Sequence, residues 1–274
     1  MAGRFKETLG INEVVGKNAN TIWKALIAEF IGNLLLNFFG CGSVATVAAV
    51  PSSFVLISLA FGLVIFVIVS SVGHVSGAHV NPAVTVAMVV TRNIGILKGV
   101  LYIVAQCLGS LAGSAILFGL TPNRIHSNGL GVNIVSPSIT AEQAFGVEFM
   151  LGFVLVLTVF GVCDTNRFES KAIGPLAIGM AVCLGHLIAV DDDGTSMNPA
   201  RSFGAAVIAG VWEHHWVFWA GPILGGVVAG LLYKYVFAAP QTGPVKIIER
   251  YTAVVTDENE LKRLDGAEIK SSLP

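Results

Sequence analysis

The sequence predicts an all-α membrane protein with six transmembrane helices plus two re-entrant half-helices, arranged as an inverted repeat. Hydrophobic residues make up 54% of the 274 residues and charged residues 12%, well below the charged fraction of a soluble domain. Six apolar stretches are long enough to cross about 30 Å of hydrocarbon as helices. In addition, the tripeptide Asn-Pro-Ala occurs twice, and each copy begins a shorter apolar stretch.

The long apolar stretches divide the chain into a membrane domain and two polar tails. Of the 33 charged residues, 6 lie in positions 1–24 and 11 in positions 241–274, as expected for tails that face water. We therefore predict an N-terminal tail at 1–22, a membrane domain at 23–238 and a C-terminal tail at 239–274. The predicted spans are 23–48, 54–73, 97–118, 140–163, 172–190 and 215–238.

The stretches that begin at the two tripeptides, 81–91 and 198–209, are too short to cross a bilayer alone. An Asn before a Pro favours a helix start, because the Asn side chain caps free backbone N–H groups and Pro suits the first turn. We expect two half-helices that enter from opposite sides and meet with their positive ends at mid-membrane. The tripeptides are Asn81-Pro82-Ala83 and Asn198-Pro199-Ala200.

The two halves of the membrane domain, about 23–118 and 140–238, repeat each other in sequence. The two Asn residues are 117 positions apart, and Glu29 lies 119 positions before Glu148. Each half contains three spans, so the second copy must be inserted upside down relative to the first. In proteins built in this way the solute path lies at the interface between the repeats.

Basic residues in the short loops favour a cytoplasmic N-terminus by the positive-inside rule. With six spans, both termini are then cytoplasmic. The loops assigned to the cytoplasmic side carry Arg92, Lys98, Arg167 and Lys171.

Composition and spacing disfavour several function classes. A net charge of −1 argues against a nucleic-acid binder. Cys41, Cys107, Cys163 and Cys183 are far apart and lack metal-ligand spacing. The sequence contains no nucleophile–base pair, metal cluster or phosphate loop that indicates an enzyme, so we predict no catalytic residues, no cofactor and no metal site.

The motifs around the tripeptides resemble those of the aquaporin (major intrinsic protein) family, and the resemblance covers about residues 20–240. It implies an aquaporin-like fold and a homotetramer in the plasma membrane, with water as the permeating substrate. With His186 and Ser202 at two motif positions, the chain resembles the water-selective branch of the family, which includes animal water channels such as those of insects. Glycerol-conducting relatives have a small residue and an Asp at these places. The motifs are Ser76-Gly77-Ala78-His79-Val80-Asn81-Pro82-Ala83-Val84-Thr85, Gly185-His186 and Met197-Asn198-Pro199-Ala200-Arg201-Ser202-Phe203-Gly204.

The resemblance also implies roles for individual residues. Glu29 and Glu148, ionisable groups inside apolar spans, would brace the re-entrant loops at 74–80 and 191–197. An extracellular selectivity filter, in which a fixed charge repels cations, would consist of Phe61, His186, Thr195 and Arg201. Backbone carbonyls would form an acceptor ladder for water at Gly77, Ala78, His79, Gly194, Thr195 and Ser196. Counting from the motifs, the apolar wall would include Leu36, Ile65, Leu155 and Val182.

Passive water permeation is the leading hypothesis, and three rivals remain open. An aquaglyceroporin-type facilitator of glycerol, urea or hydrogen peroxide would need a wider constriction than His186 allows. A secondary transporter also uses inverted repeats and broken helices, but it needs a coupling carboxylate at mid-membrane. With Glu29 and Glu148 assigned to bracing, none remains there. A structural membrane protein would need extracellular contact surfaces, and the loop around 50–53 is very short.

Overall fold

The computed structural model describes residues 9–15, 19–47, 54–126, 129–167, 170 and 172–240. Most of the predicted C-terminal tail, parts of the N-terminal tail, Lys171 and the loop around 50–53 therefore lie outside the described residues. By its internal contacts the chain forms two units: Met1–Asp164 with Glu169–Ala238, and Thr165–Phe168 with Ala239–Pro274. In the second unit, the side-chain amide of Asn166 donates to the Ala239 carbonyl (3.4 Å).

Within the described residues, six helices are long and apolar enough to cross a membrane. Two shorter helices, Pro82–Val90 and Pro199–Ala209, follow the Asn-Pro-Ala tripeptides as predicted. The spans are Thr21–Ala45, Phe54–Ser76, Ile96–Leu120, Ala141–Cys163, Gly174–Asp193 and Val217–Phe237. Short helical segments lie at Ile11–Val14, Asn123–His126 and Gly129–Gly131. The predicted all-α class is confirmed.

The second and fifth spans each end three residues beyond their predicted ends, at Ser76 and Asp193. The prediction stopped where the apolar run gave way to polar residues, because hydropathy reports the hydrocarbon thickness rather than the end of a helix. These helices end at a backbone signal instead. Gly77 (φ 88°) and Gly194 (φ 77°) adopt the left-handed conformation typical of the residue after a helix C-terminus.

Glycines bring paired spans of each half into backbone contact. A Cβ atom on Gly109 of the third span would lie 2.1 Å from the Phe30 carbonyl oxygen of the first span. A Cβ atom on Gly225 of the sixth span would lie 1.9 Å from the Phe149 carbonyl oxygen of the fourth span. Phe30 and Phe149 each follow one of the repeated Glu residues, so the same helix crossing occurs in both halves.

The two halves meet where the second span crosses the fifth. A Cβ atom on Gly62 would lie 2.8 Å from the Gly179 carbonyl oxygen, and one on Gly179 would lie 2.6 Å from the Gly62 carbonyl oxygen. These glycines occupy matched positions of the repeat, 117 residues apart. A reciprocal contact between matched positions is what a two-fold relation between the halves produces.

Candidate functional site

A cavity lies between the two halves of the larger unit, and the second, fourth and fifth spans each line it with side chains four residues apart. In the second span the lining side chains run from Phe61 to Val69, and in the fifth from Ile178 to His186. Eight residues of α-helix rise about 12 Å, so the cavity extends at least that far. These helices are antiparallel, so Phe61 and His186 share one end, here called the constricted end. The second, fourth and fifth spans contribute Phe61, Ile65, Val69, Leu155, Val159, Cys163, Ile178, Val182 and His186.

The two re-entrant loops that enter this cavity have the same unusual backbone. Ala78 (φ 45°) and Val80 (φ 48°) of the first loop adopt left-handed backbone conformations that residues other than glycine rarely adopt. Thr195 (φ 51°) and Met197 (φ 52°) do the same at matched positions of the second loop. Such strained residues persist only where surrounding contacts hold them, and here those contacts come from two buried glutamates.

Glu29 holds the first loop through both carboxylate oxygens and is fully buried. Its Oε1 accepts from the Ser76 hydroxyl (2.7 Å) and the His79 backbone N–H (2.9 Å). Its Oε2 accepts from the Val80 backbone N–H (2.6 Å) and the Gln106 side-chain amide (2.8 Å). These bonds satisfy loop N–H groups that no helix pairs.

Glu148 holds the second loop in the same way and is also fully buried. Its Oε1 accepts from the Ser196 backbone N–H (2.6 Å) and its Oε2 from the Met197 backbone N–H (2.8 Å). The two carboxylates therefore contact the loops that the sequence assigned to them.

Asn81 and Asn198 each cap their own half-helix and contact the opposite loop. The Asn81 Oδ1 accepts from the Ala83 N–H (2.8 Å), and the Asn198 Oδ1 accepts from the N–H groups of Ala200 (3.1 Å) and Arg201 (3.2 Å). The Asn81 Nδ2 donates to the Met197 carbonyl (2.8 Å) and the Asn198 Nδ2 to the Val80 carbonyl (2.7 Å). Each amide nitrogen carries two hydrogens, so one N–H per Asn stays free for a solute.

Phe61, His186 and Arg201 converge at the constricted end. The rings of Phe61 and His186 stack with centroids 4.0 Å apart, and the Arg201 guanidinium lies 5.0 Å from the Phe61 ring centroid. The His186 Nδ1 lies 2.9 Å from the Val182 carbonyl, which only accepts, so this nitrogen carries a proton. In neutral His186 the Nε2 is then an acceptor. Neither this Nε2 nor the Arg201 Nε has a partner among the described residues.

Backbone and side-chain oxygens fix the Arg201 guanidinium. Its Nη1 donates to the Gly131 carbonyl (2.7 Å) and to the Asn133 Oδ1, and its Nη2 donates to the Gly194 carbonyl (3.4 Å). Asn133 in turn donates from Nδ2 to the Asp193 carbonyl (3.1 Å). Asn133 was not predicted as a site residue, because no local motif marks a loop residue that contacts an arginine 68 positions away.

Not every predicted site residue lines the cavity. Within the described part of the chain the lining includes neither Gly194 nor Thr195, although both were predicted to contribute carbonyls and Thr195 to contribute to the filter. Thr195 is fully buried, and its hydroxyl has no partner among those residues. Met197, which was not predicted, is part of the lining. The lining also includes Leu36, Gly77, Ala78, His79, Asn81, Val84, Met88, Ser196, Asn198 and Arg201.

These features define a class of protein: a multi-pass membrane protein of inverted repeats, with two half-helices that meet beside a cavity. The family model described as Major intrinsic protein matches residues 17–233, so the chain belongs to the major intrinsic protein family. The family resemblance of the sequence motifs is thereby confirmed.

Animal aquaporins are among the relatives. The chain is 50% identical to human Aquaporin-4 over 219 residues, which cover 78% of this chain and 68% of that protein. It is 43% identical to Aquaporin FA-CHIP of Pelophylax lessonae over 256 residues, covering 89% and 92%. The X-ray structure of the aquaglyceroporin from Plasmodium falciparum has the same fold, with a TM-score of 0.72 at 24% identity, covering 79% of this chain and 97% of that one.

Proposed function

We propose that this protein is a passive, water-selective channel that excludes protons and ions and is driven by osmotic gradients. The observation that carries the proposal is the pair of Asn side chains held rigidly at the meeting point of the half-helices, inside a mostly apolar cavity. The similarity to animal aquaporins supports it.

The Asn pair passes water without passing protons. A water molecule between Asn81 and Asn198 accepts one N–H from each, which occupies both of its lone pairs. It then has no acceptor left for a proton-relay bond from the neighbouring water. The half-helices also present their positive ends to this point, which repels cations.

Selection takes place at the constricted end. His186 supplies an acceptor and Arg201 a donor, so water exchanges its hydrogen bonds there at little cost. The fixed Arg201 charge adds a second barrier to cations. The stacked Phe61 and His186 rings restrict the opening, which disfavours glycerol.

The proposal extends to the location of the protein in the cell and to its assembly. The protein lies in the plasma membrane with both termini cytoplasmic and with Arg201 near the extracellular end, as the basic loop residues favour. It assembles as a homotetramer with one pore per protomer. Lipid surrounds the assembly, and each pore works without a cofactor.

Stopped-flow light scattering on proteoliposomes tests the function. Vesicles with the protein should shrink rapidly under a sucrose gradient and remain tight to glycerol. His186→Ala should admit glycerol, because it removes the ring stacked on Phe61. Val182→Ala is the matched control, because it trims a lining residue one turn away and should stay glycerol-tight. Glycerol flux through the parent as fast as water flux would refute water selectivity.

A further inference from the structure

The two bracing sites differ at one matched position of the repeat. In the first half, the Ser76 hydroxyl donates to Glu29 Oε1 at 2.7 Å. The residue 117 positions later is Asp193, which lies beside Glu148. Its Oδ1 accepts from the Thr195 backbone N–H, just as the Ser76 hydroxyl accepts from the Ala78 backbone N–H (2.9 Å in both halves). A hydroxyl always has a hydrogen to donate, whereas a carboxyl has one only when it is protonated.

Both acids of the second bracing site are buried. Glu148 is 0% exposed and Asp193 is 1% exposed. Asp193 Oδ1 accepts from the Thr195 backbone N–H (2.9 Å), but Oδ2 has no donor among the described residues. An ionised Asp193 would leave this oxygen charged, buried and unpaired. A proton between Oδ2 and Glu148 satisfies it.

The surrounding charges do not remove the need for that proton. Besides the two acids themselves, the charged groups near the pair are Asp192 on the fifth span and Arg201 on the second half-helix. The donor contacts of Arg201 go to Gly131, Asn133 and Gly194 rather than to either carboxylate. Two ionised carboxylates in one buried site repel each other strongly, so one of them stays protonated.

We propose that Glu148 and Asp193 share one proton, and that Asp193 is thereby a positioning residue for the second re-entrant loop. The protonated pair holds the loop that leads into Asn198 and into the half-helix that carries Arg201. Loss of the proton to alkaline water places two like charges side by side and pushes the loop away from Glu148. Water permeability then falls. This last step rests on the proposed function, whereas the shared proton does not.

Infrared spectroscopy in an ester-free maltoside detergent tests the shared proton directly. The parent should show a protonated carboxylic acid band that shifts in heavy water and disappears at alkaline pH. Asp193→Asn should lack the band, because its amide donates to Glu148 and accepts from Thr195 without titrating. Asp192→Asn, which removes the neighbouring carboxylate, should keep it. A parent without the band, or an Asp193→Asn variant that retains it, overturns the proposal.

Water flux measured between about pH 6 and pH 9 tests the positioning role. The parent should lose permeability reversibly as the pH rises. Asp193→Asn should keep its permeability over this whole pH range. Asp193→Ser, which introduces the residue found at the matched position of the first half, should do the same and replaces the first variant if that one does not fold. A parent profile as flat as that of the variants overturns the coupling to the pore. Absence of water flux at every pH, with the band present, counts against the proposed function alone.

Discussion

Replacement of Glu29 tests whether buried carboxylates hold the re-entrant loops. Glu29→Leu removes the charge and also the desolvation cost of burying it, and a well-packed apolar residue can then be stabilising. Against this gain, the backbone N–H groups of His79 and Val80 lose their acceptor at membrane depth. Each unsatisfied buried donor costs about 1–3 kcal/mol, so the loss is roughly 2–6 kcal/mol for these two alone.

Glu29→Gln is the matched control, because it keeps the shape and one acceptor oxygen. The Ser76 hydroxyl can turn and accept from the new amide, so only one backbone donor is left unpaired. We expect a loss of about 1–3 kcal/mol, about half that of Glu29→Leu. Stability should therefore fall in the order parent, Gln, Leu.

Two measurements check this order. Denaturant unfolding of the purified proteins in detergent gives the stabilities, and surface biotinylation of expressing cells gives the folded amount in the membrane. A stability of several kcal/mol can be lost entirely in the Leu variant, because folded proteins are only marginally stable. Equal unfolding midpoints for parent and Glu29→Leu would show that the carboxylate does not hold the loop.

Three further predictions follow from the geometry. Cys163 is exposed and lines the cavity end opposite His186, so an organomercurial should reduce water flux in the parent but not in Cys163→Ser; equal inhibition of both would contradict this. Gly225→Val should abolish the folded peak in size-exclusion chromatography, whereas Gly146→Val should not, because a Cβ at Gly146 meets nothing within 4 Å. Arg201→Val should lower the cation barrier by roughly 1–4 kcal/mol and produce a pH-dependent current in voltage-clamped cells. Currents equal to the parent's would show that the half-helix ends supply the whole barrier.

The sequence predicted features whose cause is local or repeated. Asn before Pro predicts a capped helix start, and both half-helices begin there with Asn as the capping residue. A glutamate at the same place in both apolar repeats predicts a buried polar partner, and each glutamate contacts a loop. Because each of these features occurs at matched positions in both halves, it could be distinguished from a chance occurrence.

Features set by distant contacts could not be predicted in this way. Asn133 acquires its position only when the loop that carries it folds over Arg201. Asp193 belongs to a run of three aspartates that the sequence analysis assigns to the re-entrant loop at 191–197, whereas it ends the fifth span as a buried side chain. The position of Thr195 in the motif predicted a filter residue. Its side chain is instead fully buried, which depends on how distant segments of the chain pack around it.

The two ends of the cavity differ in side-chain chemistry although the inverted repeat relates their backbones. A two-fold relation between the halves creates the same three positions at the opposite end. The partners of Phe61, His186 and Arg201, each 117 residues away, are Ile178, Val69 and Val84. All three partners line the cavity, but each is aliphatic and none donates or accepts a hydrogen bond from its side chain. The backbone is thus repeated while the side-chain chemistry is not, and of these six matched positions only His186 and Arg201 carry polar side chains.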